Sequence, residues 1–363
     1  MRETSLVRLA NAASLALFMV LSGLLSKAET ARAQALDYTL DALLDSRDIP
    51  ITADNFVRAA NDLELRKYVE LAGGINRFYH FREPTPVENQ PTIRMNRDTL
   101  YSTAVVDISE GATLILPEVA DRYMTAMVVN QDHFINEVFF GGGTYTLEME
   151  TFDTPYVIVY LRVLVDAADP DDVAAVNMIQ NAITIEANAS NPFVAPNYDD
   201  EAFEAVVEQL LPLGALGFVP DSSRMFGKRE DVHPIRHMLG TIAGWGGLPE
   251  KEAFYPAFFP GLPVGAYKIE VPQNVPVDAF WSVSMYNADG FYEPNALNAY
   301  SINSVTGAQN ADGSMTIHLG DCHDGRVNCL PITEGWNYVV RLYRPRQEVL
   351  DGSWTFPAAQ PVN

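Results

Sequence analysis

The sequence predicts a mainly β protein: two antiparallel sandwiches with a helical segment between them. Three observations carry this expectation. Short runs rich in β-branched and aromatic residues crowd residues 103–165 and return over residues 267–343. The stretch between them switches to helical spacing and helix-start chemistry. The 363 residues, 48% hydrophobic and 20% charged, have an ordinary globular composition and length enough for two domains, which excludes collagen-like, disordered and disulfide-scaffold classes.

The first residues read as a signal peptide. Arg2 and Arg8 give a charged start, residues 9–25 are apolar and uncharged, and Ala33-Gln34-Ala35 fits the small-x-small cleavage rule. A membrane anchor is the rival, but the apolar run is shorter than the ~20 residues a spanning helix needs. Residues 36–82 read as helical, with Phe56, Ala60, Leu63, Tyr68 and Leu71 near helical spacing after Thr52 or Asp54 as cap. Pro84, Pro86 and Pro91 end that pattern.

Strands are expected over 103–107, 113–116, 123–130, 134–140 and 156–165, with Gly141-Gly142-Gly143 as a hairpin loop. Asp169-Pro170-Asp171-Asp172 has the acids and proline of a helix start, and the helix should run to Ile185. Further helices are expected over 200–211 and from His233-Pro234 to about Ala243, where Gly244-Trp245-Gly246-Gly247 ends the helix. The proline-rich residues 256–263 mark a domain seam. Strands resume over 267–271, 280–286, 315–319 and 338–343, and the two NADG segments at 287–290 and 310–313 read as type I′ hairpin turns.

With 24 Lys and Arg against 47 Asp and Glu, the net charge of −23 offers no footprint for nucleic acid and no attraction to anionic lipid. No Walker loop, GxSxG elbow, HExxH or CxxC is present. Cys322 and Cys329 are the two cysteines. In an oxidising compartment an even count favours a disulfide, and Asp324-Gly325 supplies a turn between them; two free thiols are the alternative.

Three stretches resemble a known pair of families. RMNRDTLYSTAVVD, residues 94–107, resembles the domain of unknown function numbered 1254. FWSVSMY, residues 280–286, with Asn295, Asp312-Gly313-Ser314 and RLYRP at 341–345, is similar to its usual companion, numbered 1214. VHPIRHMLGTIAGWGGLP, residues 232–249, resembles the helical linker between them. The resemblance implies an immunoglobulin-like β-sandwich, a helical linker region and a C-terminal jelly-roll-like β-sandwich, and it implies almost nothing of activity. It divides the chain into a signal peptide (1–35), an N-terminal helical segment (36–91), a sandwich of the 1254 type (92–168), a helical linker region (169–262) and a jelly-roll-like domain of the 1214 type (263–363). Asn328-Cys329-Leu330-Pro331 departs from the family's Asn-Trp-Leu-Pro, which suggests that the Cys322–Cys329 bond is a local feature.

The polar segments of this resemblance supply the candidate site. On a strand, Arg97 and Tyr101 would share one face, opposite Asn96 and Asp98, so that Arg97 can fork onto an anion with Tyr101 as an added donor. Arg341 and Tyr343 share a face of a near-terminal strand and would complete a cationic pocket. The alternative is an internal pairing of these arginines with carboxylates. Asp98, Tyr101 and His237 are the candidate catalytic residues; Arg97, Arg341 and Tyr343 are the candidate ligand-binding ones. His233 and His237 have a metal-ligand spacing but no third ligand, and His133 with Glu137 would share a strand face as base and orienter. No metal or cofactor is expected. Three functions fit: a hydrolase-like enzyme on a small polar or anionic molecule in a cleft between the sandwiches, a non-catalytic binder of such a ligand, and an envelope assembly component. All three are periplasmic or secreted, with no nucleic-acid partner and no stable membrane insertion.

Overall fold

The computed structural model describes residues 48–90, 93–215, 218–219 and 221–362. The signal-peptide reading lies outside the described residues. Residues 48–51 and 196–200 form a small unit of their own, with a parallel bridge between Ile49 and Tyr198. The remaining described residues form the second unit.

The long first helix is α1 (Phe56–Ala72), shorter than the sequence suggested; Gly73 ends it in the left-handed conformation. Then come β1 (Tyr79–His80), β2 (Thr99–Asp107), β3 (Ala112–Leu116), β4 (Met124–Asn130), β5 (Ile135–Phe140), β6 (Gly143–Leu147), the short α2 (Met149–Phe152), β7 (Tyr156–Leu164), α3 (Pro170–Asn181) and β8 (Thr184–Ala187). The strands make a five-stranded sheet, β1-β2-β7-β4-β5, and a three-stranded one, β6-β3-β8. Both are antiparallel. Alternation sends Leu100, Ala104 and Val106 of β2 and Val157, Val159 and Leu161 of β7 into one core with Leu114 and Leu116 of β3. That core is the filling of the first sandwich.

Two local expectations fail here. Gly141–Gly143 is no hairpin: β5 belongs to the five-stranded sheet and β6 to the other, so the glycines carry the chain across the sandwich. Glycine is needed because a Cβ on Gly142 would stand 2.7 Å from the Glu118 side chain. The helix expected to reach Ile185 stops at Asn181, and Thr184–Ala187 pairs with β3. Its start is as read: Pro170 opens α3 and the Asp169 carboxylate caps the Asp171 amide.

After α4 (Asp200–Ala215) and α5 (Pro234–Ala243), the second half holds β9 (Ala253–Phe254), β10 (Ala257–Phe258), β11 (Tyr267–Val271), β12 (Trp281–Tyr286), β13 (Ser301–Asn303), β14 (Met315–Leu319), β15 (Cys329–Leu330), β16 (Asn337–Tyr343), the short α6 (Gln347–Leu350) and β17 (Gln360–Pro361). One sheet runs β10-β16-β12-β13 with β9 also on β16; the other runs β15-β14-β11-β17. Between them lie Ile269, Val283, Ile317, Tyr338, Val340 and Leu342. The fold class is therefore as expected, mainly β with helical segments, and all the sheets are open. The NADG segments do form tight turns, closed by Gly290 onto the Asn287 carbonyl and Gly313 onto the Asn310 carbonyl. Neither joins paired neighbours as a two-residue hairpin: β12 meets β13 only after a long excursion, and β14 pairs with β11.

The disulfide joins Cys322 to Cys329. Cys329 pairs across from His318 of β14, so the bond pins the short parallel strand β15 to the sheet.

Candidate functional site

The outer face of the first five-stranded sheet is covered by other elements over much of its area. Val105, Met127, Val129, Ile158 and Leu164 pack there against Leu65 and Tyr68 of α1, and against Phe226, Leu248, Phe280 and Tyr343. The two sandwiches thus share a core, and a polar residue at this joint depends on partners inside it.

The candidate residues near Asn96 do so. Odd positions of β12 and even positions of β16 fill the second sandwich, which turns Ser282, Ser284, Tyr286, Arg341 and Tyr343 outward toward residues 94–98. Asp98 is 1% exposed. Its carboxylate accepts from the hydroxyls of Ser282 at 2.5 Å and Ser301 at 3.2 Å. Burial raises its pKa, against the pull of Arg341 and these hydroxyls. The Arg341 guanidinium donates to Ser284 Oγ at 2.7 Å, Tyr286 Oη at 2.8 Å and the carbonyls of Arg94 and Met95 at 2.9 and 3.1 Å. Asn96 donates to the Tyr343 hydroxyl at 2.9 Å. Arg97 precedes β2 instead of alternating within it. It donates to the Thr85 carbonyl, and its guanidinium lies 5.1 Å from the Tyr300 ring centre. Asp98, Arg341 and Tyr343 are therefore neighbours in one closed network.

The other candidates are elsewhere. Tyr101 lies within β2 beside Tyr160, with ring centres 5.2 Å apart. His237 is buried on α5, its ring 4.8 Å from that of Phe134. Both its nitrogens face backbone carbonyls, Met225 at 3.0 Å and Asp132 at 3.2 Å, and burial lowers its pKa. A neutral imidazole can donate to one of the two. His233 is exposed at the helix start, so the pair four apart does not converge. His133 lies in the turn before β5 with φ 61°, not on a strand face with Glu137. Thr241 donates to the His237 carbonyl at 2.8 Å and sits 2.8 Å from His133 Nδ1, which fixes the His133 proton on Nδ1 and leaves Nε2 bare and buried. Glu137 pairs with Lys228 at 3.3 Å instead. Among the described residues no three metal-ligating side chains come together.

A cleft of about 640 Å³ does open between the sandwiches. None of the six candidate residues lines it. Its apolar wall is Tyr123, Met124, Phe140, Leu164 and Phe280, with the Tyr123 and Phe280 rings edge to face at 5.1 Å. Asp121, Asp166, Asp169, Asp172 and Asp278 border it, against Arg122 and Arg344. Arg122 is committed to Asp172 at 2.5 Å, which lowers that carboxyl's pKa. Arg344 covers the face of Phe140 at 4.9 Å. The opening is therefore acidic, and no serine, cysteine or histidine lines it.

Sequence reasoning passed over Arg162, the one charge in the β7 segment YVIVYLRVL. It is 5% exposed at the centre of the sheet, paired in register with Tyr101 and Thr125. It donates to the Gly246 carbonyl through Nη2 and stacks on Tyr160 at 5.0 Å and Tyr101 at 5.7 Å. A lone arginine in an apolar strand was the available signal, since such strands hold a charge only where it has a partner.

Residues 75–187 match the family described as "Protein of unknown function (DUF1254)", and residues 263–347 the family described as "Protein of unknown function (DUF1214)". The crystal structure of the VPA0106 protein from Vibrio parahaemolyticus is similar in fold, at TM-score 0.63 and 19% identity over 86% of this chain and 100% of that one. A putative uncharacterized protein from Burkholderia cenocepacia aligns at TM-score 0.47 and 14% identity, covering 90% and 94% of the two chains. No curated protein matches the sequence.

Proposed function

We propose that this chain, which pairs a DUF1254 domain with a DUF1214 domain, is an exported binding protein for a small organic cation with a flat apolar body. The cleft between the sandwiches carries the proposal: aromatic rings form its wall and carboxylates its rim. Aromatic faces attract cations, and a rim of one sign concentrates ligands of the other. Catalysis draws no support from this cleft. Serine- or cysteine-type hydrolysis needs a nucleophile beside a base, and the lining has neither hydroxyl–imidazole nor thiol–imidazole pairs; of its carboxylates, Asp172 is paired with Arg122 and Asp278 with Arg346. Asp98 and His237, two of the three candidate catalytic residues, are committed to buried partners. The apolar N-terminal run and the Cys322–Cys329 bond support a periplasmic or secreted location.

Thermal shift with phenethylammonium and its neutral counterpart 2-phenylethanol tests this. The cation should raise the melting temperature in proportion to the logarithm of its concentration, and the alcohol should do so less. Asp121→Lys, a change at an exposed rim position, should weaken the cation's effect. Equal shifts from cation and alcohol, or none from either, would discard the proposal.

A further inference from the structure

We propose that Arg162 anchors a second, buried site that takes a monoanion, a carboxylate carried on a flat apolar body. This site is distinct from the acidic cleft and does not depend on what the cleft binds.

The inference begins from how the protein treats its other buried guanidinium. Arg341 has four acceptors and the Asp98 charge nearby. Arg162 is as deeply buried, yet its Nη1 has no hydrogen-bond partner, and among the described residues it forms no ion pair. A charge taken out of water costs several kcal/mol unless something answers it. The ring faces of Tyr101 and Tyr160 answer part of it. Its strongest electrostatic neighbours are Tyr101, Tyr255, Tyr160 and Tyr123. Burial raises the pKa of the last three above the ordinary phenol value, so they remain neutral and supply no negative charge. The Tyr123 hydroxyl is itself buried and near that of Thr125 without reaching hydrogen-bond geometry.

A buried guanidinium nitrogen without a partner, the unpartnered Tyr123 hydroxyl and aromatic walls are the parts of a carboxylate receptor. The class follows from charge. One cation balances one negative charge, so a monoanion fits and a phosphate dianion would bring an uncompensated charge into the interior. The aromatic surroundings select a flat apolar body. Access follows from the strand. Leu164 of β7 lines the cleft, and Arg162 is two residues back on the same face, about 6.6 Å away. Tyr123 lines the cleft and neighbours Arg162, so it stands between the cleft and the guanidinium. The competing role is a clip: Arg162 holds the Gly246 turn and takes nothing else.

Thermal shift with benzoate against benzyl alcohol, in acetate-free, low-chloride buffer, decides between them. Benzoate should raise the melting temperature of the full chain and benzyl alcohol should not. Arg162→Gln should weaken benzoate at least about tenfold, the loss expected for one charge-assisted bond. Asp121→Lys should leave the benzoate response in place, which separates this site from the cleft. Equal responses to acid and alcohol, or a normal benzoate response in Arg162→Gln, would overturn the proposal. Should Arg162→Gln not fold, quenching by 4-nitrobenzoate replaces it: Trp245 packs edge-on to Tyr160 at 5.5 Å, so the quenched emission should vanish in Trp245→Phe. Quenching that survives that substitution would equally overturn the site.

Discussion

Asp98→Asn is the sharpest test of how the two sandwiches are joined. Asparagine keeps the shape and removes the charge. The hydroxyls of Ser282 and Ser301 that donate to the carboxylate can turn to accept from the amide, so hydrogen bonding is largely conserved. What remains is Arg341 buried with no negative charge nearby. Breaking a buried charge pair costs about 3–5 kcal/mol. Arg341 keeps four neutral acceptors, which places Asp98→Asn near the lower end, about 3 kcal/mol. At roughly 2–4 °C per kcal/mol for a large domain, the melting temperature should fall by roughly 6–12 °C.

Arg341→Met makes the reciprocal perturbation with a different signature. It leaves the Asp98 carboxylate buried, and the carboxyl can escape by taking a proton, since burial already raises its pKa. With the folded value above the unfolded one, the folded chain binds more protons between the two values. The stability of Arg341→Met should therefore rise as pH falls through the folded pKa. The double variant Asp98→Asn/Arg341→Met should be more stable than the two single losses predict, by about 1–3 kcal/mol in urea denaturation. If Asp98→Asn melts within a degree of the parent, and the double variant is simply additive, the two charges do not speak to each other and the joint is not held this way.

Two further outcomes are expected. His80, His133 and His237 all have pKa values lowered by burial, that of His80 to about 4, so the unfolded chain binds more protons below its ordinary histidine value of 6.5 and stability should drop as pH falls from 7.5 to 5.5; His133→Asn, which suits the left-handed backbone there, should flatten that slope by up to about 1.4 kcal/mol per pH unit, and an unchanged slope would show that His133 does not titrate on unfolding. Carboxyls with lowered values, such as Asp107 and Asp172, titrate below this window, and Asp98 and Glu252, with raised values, act in the opposite sense, which is why the variant comparison is needed. Replacing Cys322 and Cys329 by serine opens a loop with a sequence separation of 7, so the second sandwich should lose roughly 2–3 kcal/mol in urea denaturation, and no loss would mean that β15 holds its place without the bond.

The strands were legible because their side chains announce burial. Residues 156–164 are apolar at nearly every position, as a strand covered on both faces must be, and it is covered by the first core on one side and by α1 and the second sandwich on the other. Pairing was not legible. Gly141–Gly143 reads as a hairpin because local sequence tells that a strand ends and not which sheet takes the next one. Thr184–Ala187 reads as the tail of a helix because its assignment comes from β3, far away in the chain. In the same way Arg97 lost its expected place: the strand begins at Thr99, after the Asn96–Asp98 stretch whose alternation was assumed, and the side chain turns to the Thr85 carbonyl.

The candidate site was misplaced for a different reason, and the reason separates two kinds of polar residue. Asn96-Arg97-Asp98-Thr99 stands out in the sequence by its density of polar groups. The second sandwich answers that density with polar partners of its own: Asp98 finds serines, Asn96 finds Tyr343, and Arg341 finds the backbone of Arg94 and Met95. Every donor spent inside the joint is unavailable to a ligand. Arg162 stands alone among apolar residues and attracts no notice, yet isolation leaves it short of partners once buried. A closed network rigidifies, as Asp98→Asn should show by loss of stability. An open one recruits from outside, and Arg162→Gln should show this by loss of benzoate affinity, with stability in the absence of benzoate changed less than by Asp98→Asn.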